Sequence, residues 1–303
     1  MTKGMVLLRV LENRFQADVW CGALEDADIP FLLRTYEDTA YDGLFVSQKG
    51  YASLYVEEDW LQHAREIDEG LATQIPDLEM SPHSLARRMD HTLLDPAAGP
   101  DQLKRHLDQC LEMGCAAACI LPWMLEPAAR ALAGSPVSAC TVVSFPLGSD
   151  SAQTKEASAR ELAQAGADEL DVVLNRGLAL GGEVERAVEE MAQVARAAAP
   201  SRVKVILECS ALGPQLSRSL AEALAPTRVY MLKTGTGFQG PATPAEVIML
   251  KEAVGGALGI KAAGGIRSLE QAAALIRAGA DRLGSSNGWD IWKQAKKQWP
   301  PKG

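Results

Sequence analysis

The sequence predicts an α/β protein: a closed (β/α)8 barrel of the TIM-barrel class, preceded by a small α/β domain. Three observations carry this. From residue 85 onward, short apolar segments alternate with Ala/Glu/Arg-rich helical stretches. The alternation runs through eight strand–helix units, which fits the roughly 200–250 residues of such a barrel. Gly166-Ala167-Asp168 and Gly279-Ala280-Asp281 punctuate two helix-to-strand turns in the same way. The rival architecture is an open, doubly wound sheet.

In chain order, residues 5–11 read as a strand, 15–27 as an amphipathic helix and 30–35 as a second strand. A polar loop follows. Residues 51–56 alternate as a third strand. Glu57-Glu58-Asp59 then open a helix running to about residue 71, where acids suit the positive end of the helix dipole. This makes residues 1–75 a small accessory domain of the ferredoxin-like half type. The stretch 72–83 holds Pro76 and Pro82 with few periodic apolar residues, so a linker is placed at 76–84. The barrel domain is 85–303. Its strands are expected at 86–91, 116–121, 138–144, 169–174, 203–208, 228–233, 258–261 and 282–284. Helices are expected at, among others, 154–165, 183–198, 216–224, 244–253 and 269–278.

Composition narrows the function. The formal net charge of −9 argues against a general nucleic-acid binder, which carries a basic field. Apolar residues at 47% suffice for a large core. No apolar run reaches about 18 residues, so no membrane span is expected. Val6-Leu7-Leu8 is too short for the core of a signal peptide. The six cysteines form no CxxC pair and are expected as reduced, packed thiols in a cytoplasmic protein, without a metal.

In a barrel of this class the reacting groups sit at the C-terminal ends of the strands. Lys233 ends Val229-Tyr230-Met231-Leu232-Lys233 with inward parity, and Lys261 ends the next strand with the same parity. Two ammonium groups about 6 Å apart repel by about 3 kcal/mol at an effective dielectric near 20. That is about two pKa units, enough to bring one lysine from about 10.4 toward about 8. A neutral amine is what attack on a carbonyl needs. The plain alternative is a pair of lysines at a barrel rim or paired with carboxylates. Asp171 points inward and needs a partner once buried, for which a lysine would serve as a proton relay. Asp90 either reaches the site or caps the turn at Thr92. Glu208 shares parity with Lys204 and is expected as its ion-pair partner. Ala263-Gly264-Gly265, Arg267 and Gly284-Ser285-Ser286 follow the seventh and eighth barrel strands, the usual phosphate-binding loops of the fold. Gly235-Thr236-Gly237-Phe238-Gln239-Gly240 matches a dinucleotide fingerprint. However, Pro241 and Pro244 delay the helix and the next strand ends in Lys261, so no nicotinamide site is expected.

Six blocks in order resemble the deoxyribose-phosphate aldolase family. They are Met89-Asp90-His91-Thr92-Leu93-Leu94, Val143-Ser144-Phe145-Pro146-Leu147-Gly148, the run from Gly166 to Val173, the run from Leu232 to Phe238, the run from Lys261 to Arg267, and Leu283-Gly284-Ser285-Ser286. The resemblance spans roughly residues 85–290. It implies Lys233 as the Schiff-base lysine, Lys261 as the second lysine and Asp171 as its relay partner. It also implies Gly264, Gly265, Arg267, Gly284, Ser286, Thr236 and Asp90 around the sugar phosphate. The implied reaction is reversible cleavage of 2-deoxy-D-ribose 5-phosphate to D-glyceraldehyde 3-phosphate and acetaldehyde, with no metal or organic cofactor. Relative to the family pattern, Gly235 replaces a usual Ser, Asn287 replaces a second Ser, Leu121 and Trp123 replace more polar residues, and no Tyr follows Tyr230. Other readings are a Schiff-base aldolase of another aldehyde or sugar phosphate, and a non-catalytic sugar-phosphate sensor. The N-terminal segment resembles a small signal-transducing module and is expected to mediate interactions. Self-association is compatible with the sequence.

Overall fold

The computed structural model describes residues 4–11, 14–35, 52–74 and 80–299. The expected polar loop, Tyr51 and residues 76–79 of the expected linker lie outside them. The chain divides into two compact units, residues 1–78 and 79–303.

The first unit contains β1 (Met5–Leu11), α1 (Arg14–Asp26), β2 (Phe31–Thr35), β3 (Ala52–Glu57) and α2 (Leu61–Gln74). Its sheet has the order β1-β3-β2, antiparallel throughout. Of the acids expected to open the second helix, Glu57 ends β3, and Glu58 and Asp59 lie in a one-turn 3-10 segment, Glu58–Trp60, ahead of it. Trp20, Leu24, Leu54, Val56 and Ala64 are buried against one another's elements. Asp68 ties two of these elements together, accepting from Arg9 and, at 2.6 Å, from the Trp20 indole.

The second unit opens with α3 (Pro82–Ala86), where the sequence predicts the end of a linker and the start of a strand. Ser81 caps it in a reciprocal capping box with Ser84, and Pro82 occupies the first turn. The first barrel strand therefore begins later, as β4 (Met89–Leu93). Then come α4 (Pro100–Met113), β5 (Ala117–Ile120), α5 (Leu125–Leu132), β6 (Ser138–Val143), α6 (Ala152–Gln164), β7 (Glu169–Val173), α7 (Arg176–Leu180), α8 (Val184–Ala197) and β8 (Arg202–Ile206). The remainder are α9 (Cys209–Leu212), α10 (Pro214–Leu224), β9 (Met231–Lys233), α11 (Pro244–Val254), β10 (Gly259–Ala263), α12 (Leu269–Arg277), β11 (Arg282–Ser285) and α13 (Gly288–Gln298). Strands β4 to β11 are parallel and close into a barrel through the β11–β4 pair.

The repeated Gly-Ala-Asp turns have a physical reason. Gly166 and Gly279 adopt φ of 101° and 103°, open to glycine. The aspartates that follow reach back to the neighbouring strand. Asp168 accepts from the Ala139 amide and Asp281 from the Ile260 amide, both at 2.7 Å. Each turn thus satisfies an amide at the start of the adjacent strand and sets its register.

Outward strand positions such as Leu170, Val172, Val203 and Val205 are buried. The interior differs from the usual layers of branched apolar side chains. It holds Asp90, Glu169, Asp171, Lys204, Lys233 and Lys261, of which only Lys233 is measurably exposed, at 4%. Burying an ion costs several kcal/mol, so such an interior is tolerable only as a closed set of pairs.

Candidate active site

The register places Lys233 beside Lys261 on adjacent strands. Asp171 lies between them, inside the barrel: its Oδ2 accepts from Lys233 Nζ at 2.8 Å and from Lys261 Nζ at 2.7 Å. Its Oδ1 accepts from Lys204 Nζ at 3.0 Å. Burial by itself opposes ionisation of Asp171, but Lys204, Lys233 and Lys261 hold its carboxyl well below the usual carboxylate range.

Asp90 is not a turn cap. It is the second residue of β4 and is fully buried. It pairs with Lys261 at 2.5 Å, Lys204 at 3.1 Å and Arg282 at 2.6 Å. Thr92 Oγ1 donates to the Asp90 backbone carbonyl instead. Against the cost of burial, these three cations keep the Asp90 carboxyl below its ordinary range. Burial would lower Lys261, yet Asp171 and Asp90 raise it above the ordinary lysine range. The expected effect of two neighbouring ammoniums is thus reversed at Lys261, because a carboxylate stands between them.

Lys204 does not pair with Glu208. It pairs with Glu169 at 2.5 Å, Asp171 and Asp90, while Glu208 turns to Thr236. Sequence reasoning missed Glu169 and Arg282 as members of this network. The signal was available: Glu169 shares the inward parity of Asp171, and Arg282 that of Gly284. Cys119 and Cys140 face the same floor, their sulfurs and an Asp171 oxygen lying within 4.8 Å of one another.

Above this layer opens a pocket of about 420 Å3, within the range typical of small-molecule sites. Its wall includes Lys233, whereas Lys261, Asp171 and Asp90 form the layer beneath. Gly264, Gly265, Arg267, Gly284, Ser286 and Thr236 all line it. Ser285 and Asn287 join them, and the α12 N-terminus, capped by Ser268, follows Arg267 directly. The other wall is apolar, with Leu94, Phe145 and Phe238. Phe145 meets Phe238 edge-on at 5.9 Å, and its ring centroid lies 5.8 Å from Lys233 Nζ. Trp123 is 55% exposed and does not line this pocket.

The loop bearing Phe145 is anchored from behind. Lys155, fully buried on α6, donates to the carbonyls of Gly148 and Val173 at 2.8 and 3.0 Å, and to Glu190 at 2.6 Å. This ties the loop after β6 to the end of β7.

A cation held at the floor, a shared carboxylate and one amine reaching the pocket suit carbonyl addition followed by proton transfer. Comparison with known proteins points the same way. Residues 85–294 match the DeoC/LacD family of aldolases. The chain is 42% identical over 212 residues to the deoxyribose-phosphate aldolase of Microcystis aeruginosa, covering 70% of this chain and 94% of that protein. It is 38% identical over 224 residues to that of Caldanaerobacter subterraneus, covering 73% and 97%. Among solved structures, a tetrameric deoxyribose phosphate aldolase from Aeropyrum pernix superposes with a TM-score of 0.70 at 29% identity, covering 76% of this chain and 98% of that one.

Proposed function

The chain belongs to the DeoC/LacD family of aldolases, and on that premise we propose that it reversibly cleaves 2-deoxy-D-ribose 5-phosphate to D-glyceraldehyde 3-phosphate and acetaldehyde, with Lys233 as the Schiff-base nucleophile. The observation that carries this is the shared Asp171 oxygen, held by Lys233 and Lys261 at the pocket floor with only Lys233 in the wall. The Lys233 amine adds to the C1 aldehyde, and loss of water gives an iminium. The iminium accepts the electron pair of the C2–C3 bond as the C3 hydroxyl gives up its proton. D-Glyceraldehyde 3-phosphate departs and an enamine remains. Protonation at C2 and hydrolysis then release acetaldehyde and restore the amine. Lys261, held cationic, is the proton donor at the floor, and Asp171 links it to Lys233. Asp90 keeps Lys261 in place.

The phosphate is assigned to the cup of Gly264, Gly265, Arg267, Gly284 and Ser286. Its support is the Arg267 guanidinium, backbone amides at close-approach glycines and the neighbouring helix N-terminus. For residues 1–78 we propose an interaction module. Among the described residues the order β1-β3-β2 is that of a ferredoxin-like sheet without its fourth strand, and β1 lies at the edge with exposed Met5, Leu7 and Val10.

Incubation with deoxyribose 5-phosphate and borohydride, followed by peptide mapping, tests the central assignment. The wild-type chain is expected to carry the reduced adduct on Lys233, and Lys233→Ala is expected to lose both the adduct and turnover. A Lys233→Ala protein that is labelled and cleaves like the parent refutes it.

A further inference from the structure

Glu208 is a buried carboxylate at the C-terminal end of the barrel that takes no part in the lysine network. It is 1% exposed, and among the described residues it forms no ion pair. Its backbone is left-handed, with φ 67° and ψ 59°, an uncommon state for a residue with a Cβ. That turn aims the side chain across to the loop after β9. Both oxygens accept from the Thr236 amide at 3.2 Å, and Oε2 accepts from Thr236 Oγ1 at 2.5 Å. Thr236 Oγ1 in turn accepts from the Phe238 amide at 3.1 Å. The carboxylate fills the space beside residue 235: a Cβ there would stand 2.6 Å from Glu208 Oε1. Gly235 and Glu208 are therefore a matched pair.

The same loop packs on the turn after β10. A Cβ on Gly264 would lie 3.2 Å from Gly237 Cα and 2.8 Å from the Gly240 carbonyl, and Ala242 donates to the Gly264 carbonyl at 3.0 Å. On its other side, Gly240 lies against Ser210, two residues beyond Glu208. A continuous path of contact thus runs from Glu208 through Thr236 and Gly237 to Gly264, in the cup assigned to the phosphate.

We propose that Glu208 is a positioning residue. Without touching substrate, it sets the 236–238 loop against the 264–265 turn and so determines how strongly the enzyme prefers a 5-phosphorylated sugar over its unphosphorylated counterpart. The inference rests on the aldolase reading above. Glu208 makes no hydrogen bond or ion pair with the Lys233 amine, whose carboxylate partner is Asp171, so its loss is expected to act on the phosphate end more than on Schiff-base formation.

The test uses the full chain as wild type, Glu208→Ala, Glu208→Gln and Thr236→Val. Labelling of Lys233 by acetaldehyde plus borohydride, which needs no phosphate, reports the amine. Steady-state kinetics with 2-deoxyribose 5-phosphate and with 2-deoxyribose report the preference. Glu208→Ala is expected to keep the acetaldehyde label and to raise KM for the phosphorylated sugar about tenfold, with kcat within about threefold, so that the preference ratio falls about tenfold. Glu208→Gln retains an acceptor for the Thr236 amide and is expected to recover most of the ratio. Thr236→Val removes the hydroxyl bond to Glu208 and leaves the amide bonds, so it is expected to move the ratio in the same direction by less, which keeps the idea testable if Glu208→Ala does not fold. An unchanged ratio in the folded variants overturns the proposal. So does a parallel loss on both sugars that Glu208→Gln does not restore. A wild-type chain that acetaldehyde and borohydride leave unlabelled refutes the aldolase reading itself, a different result from a labelled chain whose ratio does not move.

Discussion

Replacing Asp171 by Asn keeps the shape at the centre of the barrel and removes the charge. The wild-type carboxylate serves Lys204 on one oxygen and Lys233 and Lys261 on the other, at 3.0, 2.8 and 2.7 Å, with no exposure. An amide offers an oxygen to one side only, so its NH2 faces an ammonium on the other. Four buried or half-buried cations, Lys204, Lys233, Lys261 and Arg282, then face only Asp90 and Glu169. At an effective dielectric near 20, a charge pair about 3 Å apart is worth about 5–6 kcal/mol before relaxation. The three contacts do not add, because the box can relax by releasing a proton. Breaking one buried pair costs about 3–5 kcal/mol, and that is the loss of unfolding free energy expected at pH 7. The pH dependence has a definite sign. The Asp171 carboxyl lies lower in the folded state than its unfolded value of about 3.9. Its stabilisation is therefore complete above that value and is lost as pH falls through the lower folded value. The gap between wild type and Asp171→Asn should be widest near neutral pH and narrow in acid. Urea unfolding followed by tryptophan fluorescence at pH 7, with thermal unfolding down to pH 3, measures both. Turnover of deoxyribose 5-phosphate is expected to fall about 10²–10⁴-fold, the scale of a lost acid–base group. A variant less than about 1 kcal/mol weaker at pH 7, with kcat within about threefold of the parent, would refute the idea that one carboxylate organises the three lysines.

Two further outcomes follow from buried charge. Lys155→Met leaves Glu190 buried without its cation, so a loss of about 3–5 kcal/mol is expected. Lys155→Met combined with Glu190→Leu should recover most of it, and a double-mutant cycle by urea unfolding that shows simple additivity would contradict this. His106 is depressed to about 3, chiefly by burial and then by the stacked His91 ring. Its folded value lies below the unfolded value of about 6.5, so stability is fully present above pH 6.5 and declines as pH falls toward the folded value. One such proton contributes a slope of up to about 1.4 kcal/mol per pH unit. His106→Leu should flatten the stability profile between pH 6.5 and pH 5 relative to wild type, and parallel profiles would count against it.

The barrel was legible because its signals are local. Gly-Ala-Asp at two turns, apolar strands of the right length and inward parity at Asp171, Lys233 and Lys261 are each readable within a few residues. The start of the barrel was not, because Ser81-Pro82 and Ser84 build a capped helix where composition reads as linker and strand. The partners of the inward charges were also beyond reach. Parity says which face Lys204 and Glu208 occupy, but not that the left-handed turn at Glu208 swings its carboxylate away to Thr236. Nor does it say that Arg282 reaches across to Asp90 and Glu169, 192 and 113 residues away in sequence. Pairing inside a barrel depends on strand tilt and register around the whole circle, which no local window contains.

The structure changes the reason for choosing Lys233 over Lys261. Repulsion between adjacent ammoniums treats the two lysines alike. The actual environment does not: Lys261 sits between Asp171 and Asp90 and is held cationic, whereas Lys233 has Asp171 alone and the pocket beyond it. The interior counts Lys204, Lys233, Lys261 and Arg282 against Asp90, Glu169 and Asp171. One positive charge is in excess. Lys204 and Lys261 each stand among two or more carboxylates, which favour their cationic forms in the resting site. Lys233 meets Asp171 alone and is the lysine in the pocket wall, where on the proposed mechanism the aldehyde arrives. On the proposed mechanism the choice of nucleophile among the three lysines therefore rests on partners and access together, and Lys261 stands protonated between Asp171 and Asp90 as the proton donor beside the nucleophile.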